Sequence, residues 1–327
     1  MTEPSAAPFD RRAIPAHARE SRWRAADGHA IRRIDWPGET EGGEATRRGS
    51  ILFLPGRGDS YEKYLETCED WHRAGWRVTA ADWRGQAGSG RLGTDATTGH
   101  VGDFAVWIED IAALWRDWRA ATPGPHVLAA HSMGGHIALR AVAEGRVDPA
   151  ALVLVAPMLG MAGPPLPLAV LQTVAGVMTR IGDPARPAWK WSEKPGEIPA
   201  AREALLTHDA DRYADELWWR ERRPELVMGP GSWGWVERAY ASARALFAPG
   251  VLEHVTTPTL MLATTADPLV KFAAIERACR RMPECALIRF GEEARHEILR
   301  EVDPVRDRAM AEIAGFLDRA APRPSAP

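Results

Sequence analysis

The stretch His126-Val127-Leu128-Ala129-Ala130-His131-Ser132-Met133-Gly134-Gly135-His136-Ile137-Ala138-Leu139 limits what this chain can fold into more than any other. An apolar run with the look of a buried strand gives way at once to two glycines, and then to Ile137, Leu139 and Val142 at helical spacing. Ser132 therefore stands at a strand-to-helix corner. A sharp turn of that kind lifts the serine hydroxyl clear of the sheet and aims the amide of Met133, at the start of the helix, toward a bound carbonyl oxygen. It also brings strand and helix backbones close together, which requires small residues two before and two after the serine. Here they are Ala130 and Gly134, so the pattern is Ala-x-Ser-x-Gly, with alanine in place of the more usual first glycine. The alternative is a glycine-rich helix start that merely includes a serine, and the rest of the chain decides between the two.

Apolar runs at Ser50–Leu54, Arg77–Asp82, Ala151–Val155, Thr259–Thr264 and Ala286–Phe290 read as further strands, with an earlier one at Ala30–Trp36. Helical spacing fills Tyr61–Ala74, Phe104–Arg119 and Lys271–Met282 between them. The alternation predicts an α/β fold: a mostly parallel central sheet, joined by right-handed crossovers and covered by helices on both faces. It lapses from Met158 to about Val255, where strand-like runs give way to prolines and the pairs Trp189/Trp191, Trp218/Trp219 and Trp233/Trp235. This segment reads as a helical cap inserted over one edge of the sheet. The expected organisation is a flexible arm over 1–24, a core in two parts over 25–157 and 256–320, the cap over 158–255, and a flexible tail over 321–327.

With 41 basic and 44 acidic residues, the net charge of −3 supplies no global field to recruit nucleic acid. The N-terminal stretch has no signal-peptide core, and no run approaches the roughly 18 apolar residues of a membrane span. Cys68, Cys279 and Cys285 show no C-x-x-C spacing, and three cysteines are an odd number, which predicts reduced thiols and a cytoplasmic protein. Peripheral contact with membrane lipid at the inner face stays open, as does the oligomeric state.

A serine hydroxyl becomes a nucleophile when a base takes its proton and a third group orients that base. Asp267 and His296 both fall shortly after strand runs, giving the order Ser132, Asp267, His296 that is expected of an elbow in an α/β-hydrolase sheet. Asp183 and Asp303 compete for the acid, while His131 and His136 flank the serine but have no loop from which to face its hydroxyl. After Leu54, Pro55-Gly56-Arg57-Gly58-Asp59 is a glycine-rich loop whose Arg57 amide is the candidate second donor of an oxyanion hole, beside Met133. The loop from Trp83 to Arg91 lacks the G-K-[ST] ending of a nucleotide cradle. The histidines have no metal-ligand spacing, so neither metal nor cofactor is expected.

Four ordered motifs, Leu54-Pro55-Gly56-Arg57-Gly58-Asp59 with Tyr61-Glu62-Lys63-Tyr64, Asp82-Trp83-Arg84-Gly85-Gln86, Ala130-His131-Ser132-Met133-Gly134-Gly135, and Arg295-His296-Glu297, carry a resemblance over roughly residues 22–318. The chain resembles the lysophospholipase/monoacylglycerol-lipase branch of the α/β hydrolases, also grouped with serine-aminopeptidase-type hydrolases, and bacterial lysophospholipase-like proteins in particular. Pro55 stands where many relatives have histidine, and Ala87 where the Arg-Gly-Gln loop usually continues with glycine. The resemblance implies Ser132 as nucleophile, Asp267 and His296 as its partners, and the Arg57 and Met133 amides as oxyanion hole. It implies a cofactor-free hydrolase of single-chain lipid esters, a lysophospholipid or monoacylglycerol; the reading of the cap adds Trp233 and Trp235 as residues against the substrate. A small-ester carboxylesterase, a proline-iminopeptidase-like amide hydrolase and a catalytically silent binding protein of the same fold are the competing readings.

Overall fold

Four runs, Ser50–Leu54, His126–His131, Ala151–Val155 and Thr259–Thr264, are too apolar to leave either face in water, and all four lie in the middle of one sheet. The computed structural model describes residues 9–37, 48–163, 165–190 and 200–323. Its strands are β1 (Arg19–Arg24), β2 (Ala30–Trp36), β3 (Ser50–Leu54), β4 (Arg77–Ala81), β5 (His126–His131), β6 (Ala151–Val155), β7 (Thr259–Thr264) and β8 (Cys285–Phe290). They form an eight-stranded sheet in the order β1-β2-β4-β3-β5-β6-β7-β8. From β4 to β8 every pairing is parallel, while β1 and β2 add an antiparallel margin.

Alternate residues of each central strand feed two separate cores. Leu52, Leu54 and Leu128 pack beneath α2 (Ala105–Ala121), α3 (Ser132–Ala143) and α8 (Phe272–Arg281). Ile51, Phe53 and Val127 pack beneath α1 (Leu65–Arg73) and α9 (Asp303–Ala320). This is the mostly parallel α/β sheet, covered on both faces, that the alternation predicted.

Between β6 and β7 lie α4 (Leu168–Arg180), α5 (Ala200–Leu206), α6 (Ala210–Arg222) and α7 (Trp233–Leu246), with α4 packed along α7. No strand occurs there among the described residues.

Two expectations need correction. The arm assigned to 1–24 is ordered in its second half. Residues 19–24 form β1, paired with β2 from Arg19↔Asp35 to Arg24↔Ala30. Its sequence, RESRWR, has one large apolar side chain, so no period of two betrays a strand that is held by its ladder at an edge. Upstream, Arg11 and Arg12 each reach Asp215 of α6 at 2.6 Å. Residues 1–8 and 324–327 lie outside the described residues.

The thiols are the second correction, because Cys279 and Cys285 form a disulfide and only Cys68 stays free. A turn between α8 and β8 brings their Cα atoms to 5.3 Å, a proximity that the six-residue spacing does not reveal. The cysteines therefore lend no support to a reducing compartment. No helix among the described residues is long and apolar enough to cross a membrane.

Candidate active site

The β5–α3 corner holds Ser132 at φ 51°, a left-handed conformation that costs a non-glycine residue about 1–3 kcal/mol and persists only where packing enforces it. The packing is visible at Gly134, where an added Cβ would lie 2.3 Å from the Pro55 carbonyl oxygen. The first turn of α3 thus presses directly on the end of β3. Trp83 Nε1 donates to that same Pro55 oxygen at 2.8 Å and fixes the loop from its far side. A Cβ on Gly56 would come within 3.1 Å of the Ser132 Cβ, so the β3 loop runs past the serine with no room for a side chain.

The loops after β7 and β8 bring up the other two groups. His296 Nε2 lies 2.9 Å from Ser132 Oγ, and its Nδ1 lies 2.7 Å from Asp267 Oδ2. A carboxylate only accepts, so Nδ1 carries the hydrogen and Nε2 is left to accept from the serine hydroxyl. Asp267 Oδ1 accepts from the amides of Leu269 at 2.8 Å and Val270 at 3.0 Å, which locks the carboxylate plane. Burial works to raise the Asp267 pKa, but His296 and the two amides outweigh it and hold the group below 3.8. It stays ionised wherever the protein is folded and near neutral pH.

The rejected candidates are occupied elsewhere. Asp303 pairs with Arg212 at 2.8 Å, and Asp183 receives the Ala185 amide at 2.8 Å. His136 is bound to Ser242 Oγ at 2.6 Å and is pushed down to about 3 by burial, aided by Arg140. His131 packs its ring against that of His296 with centroids 4.8 Å apart, and its Nε2 donates to the His296 carbonyl at 3.2 Å.

Ser132 and His296 open into a cavity of about 610 Å³. Leu171 and Val174 of α4, Leu205 of α5, and Trp233, Val236 and Tyr240 of α7 line its cap side. Trp233 and Trp235 both line the cavity. Trp189 lines it too, and the Arg57 guanidinium sits 5.2 Å from the Trp189 ring centre and 5.1 Å from that of Trp235. Trp218 and Trp219 do not line it; Trp219 instead donates to the Arg11 carbonyl at 2.9 Å, and Trp191 lies outside the described residues. The sheet side carries Asp59, Lys63, His131 and Glu297, of which sequence reasoning weighed only His131, and that as a rejected base. Lys63 belongs to the Tyr61–Tyr64 motif, and Glu297 follows His296, so both stood in quoted motifs without a role.

This fold, with serine, histidine and aspartate joined in series at the carboxyl edge of its sheet, defines an α/β hydrolase. The chain belongs to the serine aminopeptidase S33 family of hydrolases, which matches residues 45–303. It is 30% identical over 281 residues to lysophospholipase L2 of Escherichia coli strain K12, covering 82% of this chain and 80% of that protein. Among solved structures it resembles a soluble variant of monoglyceride lipase from Saccharomyces cerevisiae in complex with a substrate analog. That likeness has a TM-score of 0.71, 17% identity and coverage of 96% of this chain and 98% of the other. A thermostable carboxyl esterase from Bacillus coagulans gives a TM-score of 0.69 at 17% identity, over 92% of this chain and 98% of the other.

Proposed function

We propose that the protein is a cofactor-free serine esterase that acts on a lipid with one acyl chain, a lysophospholipid or a monoacylglycerol. The observation that carries this is one cavity that joins Ser132 and His296 to a largely apolar cap side and to a sheet side carrying Asp59, Lys63 and Glu297. An amphiphile with one chain matches both walls, whereas a short ester leaves the apolar wall unfilled. Its volume, about 610 Å³, lies within the range of small-ligand pockets. The names of the Escherichia coli and Saccharomyces cerevisiae relatives support the same substrate class.

In this reading Ser132 Oγ attacks the ester carbonyl as His296 Nε2 takes its proton, and the Asp267 carboxylate stabilises the imidazolium. The tetrahedral oxyanion accepts from the backbone amides of Arg57 and Met133. Collapse returns the proton to the leaving alcohol and leaves the acyl group on Ser132. A water activated by His296 then releases the fatty acid and restores the serine.

The outer face of α4 adds a peripheral contact with lipid. Val170, Val174, Val177 and Ile181 are 43%, 51%, 46% and 61% exposed and repeat at helical spacing. The same helix lines the cavity through Leu171 and Val174, so a lipid surface against its outer face lies next to the substrate's destination.

The test is turnover on lysophospholipids, monoacylglycerols, two-carbon p-nitrophenyl esters and aminoacyl amides. Single-chain lipids are expected to give the highest kcat/KM. A preference for the two-carbon ester or for the amides overturns the lipid assignment.

A further inference from the structure

Lys63 takes no part in the steps above, yet three carboxylates converge on its ammonium. Nζ lies 3.0 Å from Asp59 Oδ1 and 2.9 Å from Glu216 Oε2, and it also contacts Glu297 Oε1. The lysine side chain is 5% exposed and each partner carboxylate 3%. Burying one cation and three anions carries a large desolvation cost before their mutual attraction is counted, so filling space alone does not account for them.

Each carboxylate belongs to a different part of the site. Asp59 closes the loop that carries Gly56 and Arg57, and its Oδ2 accepts from the Gly56 amide at 3.2 Å and from Tyr64 Oη at 2.7 Å. The same oxygen faces His131 Nδ1 at 3.3 Å, and His131 Nε2 donates to the His296 carbonyl at 3.2 Å. Glu297 directly follows the base, and its amide donates to the Leu206 carbonyl of α5 at 2.8 Å. Glu216 lies on α6 of the cap. Arg300 also contacts Glu216 and Glu297, so two of the three anions keep a second cation.

We propose that Lys63 is a positioning residue: its ammonium draws the β3 loop, the cap helix α6 and the His296 loop into one alignment, and so sets turnover at Ser132. This rests on the ester-hydrolase reading above. Without the ammonium, Asp59 and Glu297 repel across the vacated centre, displacing the Gly56–Arg57 backbone relative to His296. Displacements near 1 Å at reacting groups are worth about 10²-fold in rate.

The experiment uses the full chain with p-nitrophenyl butyrate, competent sites being counted by fluorophosphonate titration. Lys63→Met is expected to lower kcat per titrated site by about 30-fold or more while KM stays within about threefold. Lys63→Arg, which keeps the cation, is expected to recover about tenfold of that loss. The proposal is overturned if kcat per site in folded Lys63→Met stays within about threefold of wild type, or if folded Lys63→Arg is no better than Lys63→Met. Should Lys63→Met give no cooperative melt, Glu216→Gln keeps the lysine and removes the cap's share. It is expected to lower kcat by about fivefold at constant KM, and an unchanged kcat overturns the proposal equally. A wild type that neither hydrolyses esters nor takes the fluorophosphonate removes the esterase reading itself. An active wild type matched by Lys63→Met removes only the role of Lys63.

Discussion

The two walls of the cavity are built on different physics. On the sheet side, Asp59, Lys63 and Glu297 are buried ions whose partners come from separate loops, and His296 and Asp267 are each held by two hydrogen bonds or more. On the cap side, α4 meets the cavity through aliphatic side chains, and the hydrogen bonds of its Gln172, with Glu237 and Arg244, run to α7 within the cap. Ion pairs fix distances, because their energy falls steeply when several donors and acceptors separate together. Dispersion between aliphatic surfaces is non-directional and tolerates sliding. The difference teaches that Ser132, Asp267 and His296 sit on the wall that holds its geometry, while the aliphatic wall is the one able to adjust.

Several substitutions can break that contrast. The largest effect is expected at Ser132→Ala, which should lower kcat/KM by at least about 10³-fold and abolish fluorophosphonate labelling at unchanged fold. Labelling that persists in this variant removes the whole assignment. Next is Asp267→Asn, expected to cost about 10²- to 10⁴-fold, because the amide no longer fixes the His296 tautomer. Its stability carries a pH signature. The Asp267 pKa is lowered below 3.8 on folding, so the stabilisation is complete above that value and is lost as pH falls through the folded one. The melting difference between wild type and Asp267→Asn should therefore be constant at neutral pH and shrink below about pH 4. A difference that grows on acidification would contradict the ionised assignment.

On the cap side, Trp233→Ala and Trp235→Ala should flatten the dependence of kcat/KM on acyl length. Wild type is expected to gain at least about tenfold from two to eight carbons, since a couple of buried methylenes at about 0.8 kcal/mol each exceed the roughly 1.4 kcal/mol required. Equal losses on short and long esters would make these tryptophans packing alone. The smallest effect is expected at Val177→Glu on the outer face of α4, about two- to tenfold on vesicle-borne substrate with the soluble butyrate ester unaffected. Parallel losses on both substrates would remove the lipid contact.

Ser132, Asp267 and His296 were legible because each follows a run that reads as a strand, and a strand's end fixes where the next residue emerges. Ser132 was legible twice, since the small residues that its corner needs are in the sequence beside it. β1 was not, because RESRWR has no alternation and its pairing to β2 carries the information. Nor was the charged wall, whose members lie far apart in sequence: Lys63 and Glu297 are separated by 234 positions. The disulfide was hidden for a related reason, as the α8–β8 turn and not the spacing brings its sulfurs together. Among the cap tryptophans, periodicity could not separate Trp233 and Trp235 from Trp218 and Trp219, because both pairs lie on amphipathic helices.

The cap leaves the sheet after β6 and returns at β7, and these two strands are immediate neighbours, with Leu152 opposite Thr259. An insertion whose entrance and exit share one seam places no demand on strand order, so inheritance can lengthen, trim or exchange it while Ser132, Asp267 and His296 pass on unchanged. The freedom narrows where α6 meets the core. A segment recombined into this seam inherits Lys63 beneath it, and without an anion at the place of Glu216 it leaves that ammonium with Asp59 and Glu297 alone. Diversification of this lineage is thereby open at the roof and restricted along the α6 attachment, where Arg212 also reaches Glu66.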